Sequence, residues 1–266
     1  MASTKPCKNK VQDKVAIVTG GASGIGEATV LAFAENGARA VVIADIQDEK
    51  GQKLAESIGT NRSTYIHCDV TDENQVKSLV ESTVQLYGHL DVIFCNAGIA
   101  SFGKQNVLDF DLDSSDKLFA VNVRGTAACL KLAARAMVDG GVKGSVICTS
   151  SAAATLAGDK STDYIMSKSG VLALMKCASY QLGEHGIRVN CVSPGPVATP
   201  LACNKAFEMG VEEVERFFQS SYYLKGVLKT KHIADAVLFL ASDDSEFVTG
   251  QNLIVDGGFN FLGIPK

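Results

Sequence analysis

The sequence predicts an α/β fold, a doubly wound and mostly parallel seven-stranded sheet with helices on both faces. Short β-branched runs recur at seven places along the 266 residues. Longer windows with apolar residues at helical spacing separate them almost throughout. Each parallel strand pair needs a crossover, and an amphipathic crossover covers a sheet face. No internal repeat, low-complexity tract or linker-like shift in composition interrupts this alternation, so residues 1–266 are expected to form one domain.

In chain order the strand candidates are VAIVT from Val15, AVVIAD ending at Asp45 and STYIHCD ending at Asp69, followed by DVIFCNAG from Asp91. GSVICTS from Gly144, IRVNCVSPG from Ile187 and NLIVDGG from Asn252 complete the set. Helical periodicity runs over Glu27 to Asn36, Glu49 to Ser57, Glu73 to Tyr87, Asp113 to Val138, Asp163 to Leu182 and Ile233 to Ala241. In such a sheet, ligands bind at the carboxyl ends of the strands.

A hydrophobic content of 46% supports a sizeable core, and a net charge of -4 gives no electrostatic reason to expect nucleic acid. The eight cysteines (7, 68, 95, 129, 148, 177, 191 and 203) form no C-x-x-C pair and read as buried thiols in a reducing compartment. The four histidines (67, 89, 185 and 232) show no metal-ligand spacing with them, and no metal site is expected. The polar, basic start MASTKPCKNKVQDK lacks an apolar core of its own, and no later run is long enough to span a bilayer. A cytoplasmic protein with a flexible tail over residues 1–12 is the simplest expectation.

Directly after the first strand comes TGGASGIG, Thr19 to Gly26, leading into a helical window. Glycines let a turn bring bare backbone against a phosphate, and the following helix start offers free N–H groups and partial positive charge. A tight strand-to-helix connection would need glycines too. Asp45 weighs towards the phosphate seat: it ends the second strand about 20 residues on, where a carboxylate accepts both ribose hydroxyls of a dinucleotide and repels a 2'-phosphate. With no Arg or Lys at Ser23 or Ile46, NAD is favoured over NADP.

At the other end, Ser151 lies just past the fifth strand, 13 residues before Tyr164, and Lys168 follows Tyr164 by one helical turn in YIMSK. A Tyr-x-x-x-Lys pair alone would read as an exposed helical pair. A phenol takes an alcohol's proton only as phenolate, and its ordinary pKa of about 10 leaves little of that form near neutral pH. A neighbouring ammonium, reinforced by the positive charge of oxidised nicotinamide, is expected to lower it. Ser151 would donate to the substrate oxygen. No G-x-S-x-G elbow supports a serine hydrolase.

TGGASGIG, CNAG at Cys95 to Gly98, Asn122, the Ser151–Tyr164–Lys168 set and PGPVATP from Pro194 resemble the short-chain dehydrogenase/reductase family over nearly the whole chain. The resemblance implies a Rossmann fold and a cofactor site built from Gly20, Ser23, Gly24, Ile25, Gly26, Asp45 and Ile46. It also implies Asp69 and Val70 beside the adenine, and Asn96, Ala97 and Gly98 in a strand-end turn. Pro194, Gly195, Val197 and Thr199 would hold the carboxamide side of the nicotinamide. Tyr164 is implied as general acid/base, Lys168 as pKa tuner and ribose ligand, Ser151 as oxygen binder, and Asn122 as holder of a proton-relay water. Cys95 departs from the pattern, standing where many members have a first Asn.

Residues 200–230 carry Phe207, Met209, Phe217, Phe218, Tyr222, Tyr223 and Leu224, consistent with two short helices closing over a site or with ordinary packing. Beside Ser151 stand Ala152, Ala153, Thr155 and Leu156, without a cluster of cations, which suits a small apolar alcohol or carbonyl. Stretches such as VVIADIQDEKGQKLAESIG and LGEHGIRVNCVSPGPVATPL are similar to the secoisolariciresinol-dehydrogenase-like plant group, and to its nepetalactol-related members. That similarity implies either NAD-dependent oxidation of a monoterpenoid alcohol or lactol, such as nepetalactol to nepetalactone, or redox-silent cyclisation of a reactive enol with NAD bound structurally. A protein that binds NAD without chemistry would not need the Ser-Tyr-Lys set. Family analogy implies a homotetramer through the helices after strands four and five, the second bearing Val171, Leu174, Met175, Ala178 and Leu182.

Overall fold

A computed structural model describes residues 9–101, 103, 105–158, 160–203 and 209–259. The seven expected strands are β1 (Val15–Thr19), β2 (Ala40–Asp45), β3 (Ser63–His67), β4 (Val92–Cys95), β5 (Ser145–Thr149), β6 (Arg188–Pro194) and β7 (Asn252–Val255). They form one sheet in the order β3-β2-β1-β4-β5-β6-β7, and every neighbouring pair is parallel. The chain reverses its direction of travel between β1 and β4, the topological switch point where a crevice opens at the strand ends.

Both sheet faces are covered, which is why the strands read as continuous apolar runs. Side chains alternate between two cores: Ala16, Val18, Val41 and Ile43 join one cluster, while Ile17, Val42 and Ala44 join the other. Helices α1 (Gly24–Glu35), α2 (Asp48–Ile58), α7 (Val211–Gln219) and α8 (Thr230–Ala241) contribute to the first. Helices α3 (Glu73–Tyr87), α5 (Thr126–Asp139) and α6 (Thr162–Leu182) contribute to the second.

Three expectations need correction. The single helix expected over Asp113 to Val138 is α4 (Leu112–Phe119), a π-helical turn (Ala120–Gly125) and then α5. Widening the helix there keeps apolar spacing approximately helical, so periodicity could not reveal it. At its end Gly125 lies so close to Val70 that a Cβ would sit 2.7 Å from a Val70 methyl. The flexible tail expected over 1–12 does not hold for its described part: Val11 is buried in the first core and Lys10 pairs with Asp244 at 2.5 Å, while residues 1–8 lie outside the described residues. Within 200–230, α7 is one of the two expected helices, and helical backbone at 200–203 leads into residues outside the description, Phe207 among them.

The apolar residues of α6 offered as an oligomer face point elsewhere. Val171, Met175 and Ala178 are buried within this chain, with Leu174 and Leu182 packed against the same core. Met166 and Tyr180 are the large apolar side chains that α6 exposes. Six of the seven described cysteines are buried as expected; Cys177 is exposed, and Cys7 lies outside the described residues.

A Cβ at Gly26 would lie 2.0 Å from the Gly20 carbonyl oxygen, a backbone atom that cannot step aside. Gly26→Ala should therefore destabilise the protein by about 1–3 kcal/mol, through displacement of α1 from the turn. Denaturant unfolding with an unchanged midpoint would contradict this packing.

Candidate active site

The carboxyl ends of β1, β4 and β5 are stitched together by two side chains. Thr19 Oγ1 accepts the N–H groups of Asn96 (3.0 Å) and Ala97 (3.2 Å). Asn96 Nδ2 donates to the carbonyls of Thr19 (3.1 Å) and Gly20 (3.3 Å), and its Oδ1 accepts from Thr149 Oγ1 at 3.1 Å. Gly20 has φ +63°, and a Cβ on it would meet Ala97 Cα at 2.9 Å. Ala97 and Gly98 follow on the same turn. Cys95 turns into the opposite core, where its thiol neighbours Cys129 and Cys148, so this departure from the family pattern changes core packing and leaves the turn to Asn96.

Above this floor lies the glycine turn. Ser23 precedes α1 in extended conformation and makes no side-chain cap, so the first-turn N–H groups around Ile25 and Gly26 receive none from it. Asp45 is 5% exposed: its Oδ2 accepts from Ala22 N and its Oδ1 from Gln47 N, each at 3.0 Å. The carboxylate is thus pinned to the glycine turn itself. Ile46, beside it, is 62% exposed. From the far side, Thr199 reaches Gly24, where a Cβ would touch it at 3.4 Å. Pro194 ends β6, Gly195 donates to Val255 O at 2.9 Å, and Val197 is buried. Asp69 is engaged by its own turn, accepting Thr71 N (2.9 Å) and Oγ1 (2.8 Å), and Val70 is buried against Gly125. A side-chain-free cradle, an uncapped helix start and a fixed carboxylate suit the phosphates and ribose of a dinucleotide.

Ser151, Tyr164 and Lys168 meet at the end of β5. Ser151 Oγ accepts from Ala153 N at 3.1 Å, opening a short 3₁₀ turn (Ala152–Thr155). Lys168 is buried, with Nζ donating to Thr149 O at 3.0 Å and lying 5.7 Å from the centroid of the Tyr164 ring. Gly98 leaves room for that ammonium, since a Cβ would stand 3.4 Å from Nζ. Ser150 Oγ donates to the Lys168 carbonyl at 2.9 Å, fixing the helix to the strand end.

The electrostatics differ from the sequence expectation. Burial pushes the Tyr164 phenol above its ordinary value, with hydrogen bonding from Ser151 pulling the other way. Burial also lowers the Lys168 ammonium to about 8. Desolvation disfavours both charged forms, and it outweighs the Coulomb attraction that a helical-turn spacing suggests.

Asn122 is buried in the π-helical turn, and its side chain is paired. Oδ1 accepts from Ile99 N at 2.9 Å, while Nδ2 donates to Ile99 O at 3.0 Å and Ser167 Oγ at 3.1 Å. Both amide hydrogens are thus engaged, and Oδ1 accepts one bond of the two an amide oxygen can take. Sequence reasoning missed Thr19, Thr149, Gln47, Ser101, Asp163 and Ser167; Thr19, Gln47, Thr149 and Ser167 stood inside quoted stretches, but only the fold shows what they touch. On the expected substrate side, Ala152 is buried, Ala153 and Leu156 are half-buried, and Thr155 is exposed. Tyr222 Oη donates to Pro196 O, tying the segment after α7 to the end of β6.

The family model adh_short_C2, described as Enoyl-(Acyl carrier protein) reductase, matches residues 20–260. The chain is 57% identical over 263 residues, 98% of its own length and 97% of the other's, to (-)-isopiperitenol/(-)-carveol dehydrogenase, mitochondrial, of Mentha piperita. It is 54% identical to (+)-cis,trans-nepetalactol synthase NEPS2 of Nepeta racemosa, covering 94% of this chain and 95% of that one. A crystal structure of a short-chain type dehydrogenase/reductase from Mycobacterium marinum superimposes with a TM-score of 0.86 at 32% identity, covering 95% and 97% of the two chains. A serine, a tyrosine and a lysine gathered beside a glycine turn at the switch point of this sheet therefore belong to an enzyme of the short-chain dehydrogenase/reductase family.

Proposed function

We propose that this enzyme oxidises a small apolar monoterpenoid alcohol or lactol with NAD, using Tyr164 as general acid/base. The observation that carries this reading is the convergence of Ser151, Tyr164 and Lys168 at one strand end, beside a turn that presents bare backbone and the Asp45 carboxylate. The names of the Mentha and Nepeta relatives support a monoterpenoid substrate class. The few cations near Ser151 support an uncharged one. Asp45 supports NAD, because its carboxylate would oppose a 2'-phosphate while the nearby Lys50 ammonium is engaged by Gln47 Oε1 at 2.8 Å.

In this reading Gly20 to Gly26 and the start of α1 hold the diphosphate, Asp45 and Ile46 meet the adenosine end with Asp45 accepting from ribose hydroxyls, and Asp69 and Val70 flank the adenine. Asn96, Ala97 and Gly98 shape the strand-end turn, and Pro194, Gly195, Val197 and Thr199 bound the far side. When bound, the nicotinamide supplies the two-electron acceptor. Ser151, its oxygen fixed by Ala153 N, donates to the substrate oxygen. Tyr164 Oη takes the substrate's hydroxyl proton. Tyr164 can do so only as its own phenolic proton leaves, and neutral Lys168, whose ammonium burial lowers to about 8, would receive that proton. Lys168 then acts as proton carrier for the phenol as well as its electrostatic partner. The whole chain would serve as one catalytic domain, with 200–230 bounding the substrate side; a homotetramer is proposed from family analogy.

A second reading, redox-silent cyclisation of a reactive enol to a nepetalactol, is favoured by the synthase name of the Nepeta relative. Product-resolved chromatography with alcohol, lactol and enol substrates, with and without NAD, separates the two. Reduced nicotinamide should form with the first substrates; cyclic product without nicotinamide turnover would replace the oxidation reading.

Tyr164→Phe should lower oxidation by about 10²- to 10⁴-fold, and retained full activity in steady-state assays would remove Tyr164 from the chemistry. NAD should exceed NADP by roughly 100-fold in kcat/KM, with Asp45→Ser narrowing the gap; equal use by the parent enzyme would contradict the role of Asp45. Oxidation should climb as pH rises through about 8, where Lys168 gives up its proton, and reduction should fall over the same range. Lys168→Arg should abolish that limb, since a guanidinium does not deprotonate there.

A further inference from the structure

A closed ring of hydrogen bonds surrounds the main chain of Tyr164. On one side Asn122 Nδ2 donates to Ser167 Oγ at 3.1 Å, and Ser167 Oγ donates to the Tyr164 carbonyl at 2.8 Å. On the other, Asn122 brackets Ile99 through both its N–H and its carbonyl. Two residues further, Ser101 Oγ donates to Asp163 Oδ1 at 2.5 Å, and the same oxygen accepts the Tyr164 N–H at 2.7 Å. Asn122, Asp163 and Ser167 are all fully buried.

A helix start leaves N–H groups in need of acceptors. Ser161, at the cap position of α6, makes no side-chain capping bond. The acceptors come instead from the loop after β4 and from the helix's own second residue: Thr162 N donates to Gln105 O at 3.0 Å, and Tyr164 N to the Asp163 carboxylate. A carboxylate in the first turn also complements the helix dipole. The second oxygen of Asp163 is buried with no hydrogen-bond partner among the described residues. Such an orphaned acceptor opposes folding, and an apolar residue would avoid it. What the carboxylate contributes in return is the joint at Oδ1, where the loop and Tyr164 meet.

We infer that Asp163 is a positioning residue. Its carboxylate locks the Ile99–Ser101 segment to the Tyr164 main chain and thereby sets where the phenol stands relative to Ser151 and Lys168. This rests on the proposed acid/base role of Tyr164. A misplacement of about 1 Å in a reacting group can cost 10²-fold in rate, so a small shift of this helix start would be visible kinetically.

The test compares Asp163→Ala, Asp163→Asn, Ser101→Ala and the Ser101→Ala/Asp163→Ala double variant in the full chain. The measurements are kcat, KM, NAD affinity by fluorescence titration and thermal melting. Asp163→Ala should lower kcat about 10- to 100-fold while NAD affinity and KM stay close to the parent values. Asp163→Asn, which keeps an acceptor at Oδ1, should recover most of the rate. Ser101→Ala should lower kcat less, and the double variant should be no worse than Asp163→Ala, because both break the same joint. Full kcat in Asp163→Ala, equal defects in the Ala and Asn variants, or additive losses in the double variant would each overturn the inference. Should Asp163→Ala fail to fold by melting, Ser101→Ala decides alone: a kcat loss at unchanged NAD affinity supports the joint, and no loss overturns it. Inactive Tyr164→Phe beside fully active Asp163→Ala would reject only the positioning role, whereas active Tyr164→Phe would reject the acid/base reading itself.

Discussion

Lys168 carries its ammonium through the protein interior to the carboxyl end of β5, and much of the site follows from accommodating it. A buried cation needs acceptors and room. The Thr149 carbonyl supplies the first, and the absence of a side chain at Gly98 supplies the second. Ser150 closes the arrangement by bonding the lysine's own carbonyl, so the helix start and the strand end move as one body. The Tyr164 ring, one turn earlier on the same helix, is placed over the ammonium as a consequence.

The same physical rule organises the cofactor end. Polar groups at strand ends are sealed from water, and nearly all must be paired within the protein. Thr19 and Asn96 do this across β1 and β4, at the switch point where the chain's reversal leaves a gap between crossovers. Asp45 does it between the glycine turn and the start of α2. Tyr65 reinforces that corner by donating to the Asp45 carbonyl at 2.7 Å, its ring lying where Gly51 has no Cβ. A rigid floor and a rigid carboxylate are what pre-organise a dinucleotide site, since little ordering remains to be done on binding.

Burial also opposes the charge argument drawn from spacing. Four residues of helical separation suggested an ammonium stabilising a phenolate. In the fold both groups lose solvent, the phenol becomes harder to ionise and the ammonium easier to deprotonate. The proposed proton route through Lys168 follows from that easier deprotonation. Asn122 shows the complementary case: its amide bonds Ile99 and Ser167, so it braces the loop after β4, the π-helical turn and α6.

Seven β-branched runs separated by amphipathic windows were enough to determine the element order and the parallel sheet, because strand and crossover patterns are local in sequence. TGGASGIG, Asp45, Ser151, Tyr164 and Lys168 were legible as candidates for the same reason: each sits beside an element boundary that the pattern marks. Only the tertiary structure decided the direction of the pKa shifts, the π-helical turn at Asn122, the burial of Val171 and Met175 within the chain, and the joint between Ser101 and Asp163. Desolvation and hydrogen-bond closure depend on which distant segments share an interior. Residues 62 positions apart, such as Ser101 and Asp163, carry no mark of each other until the sheet brings their loops together.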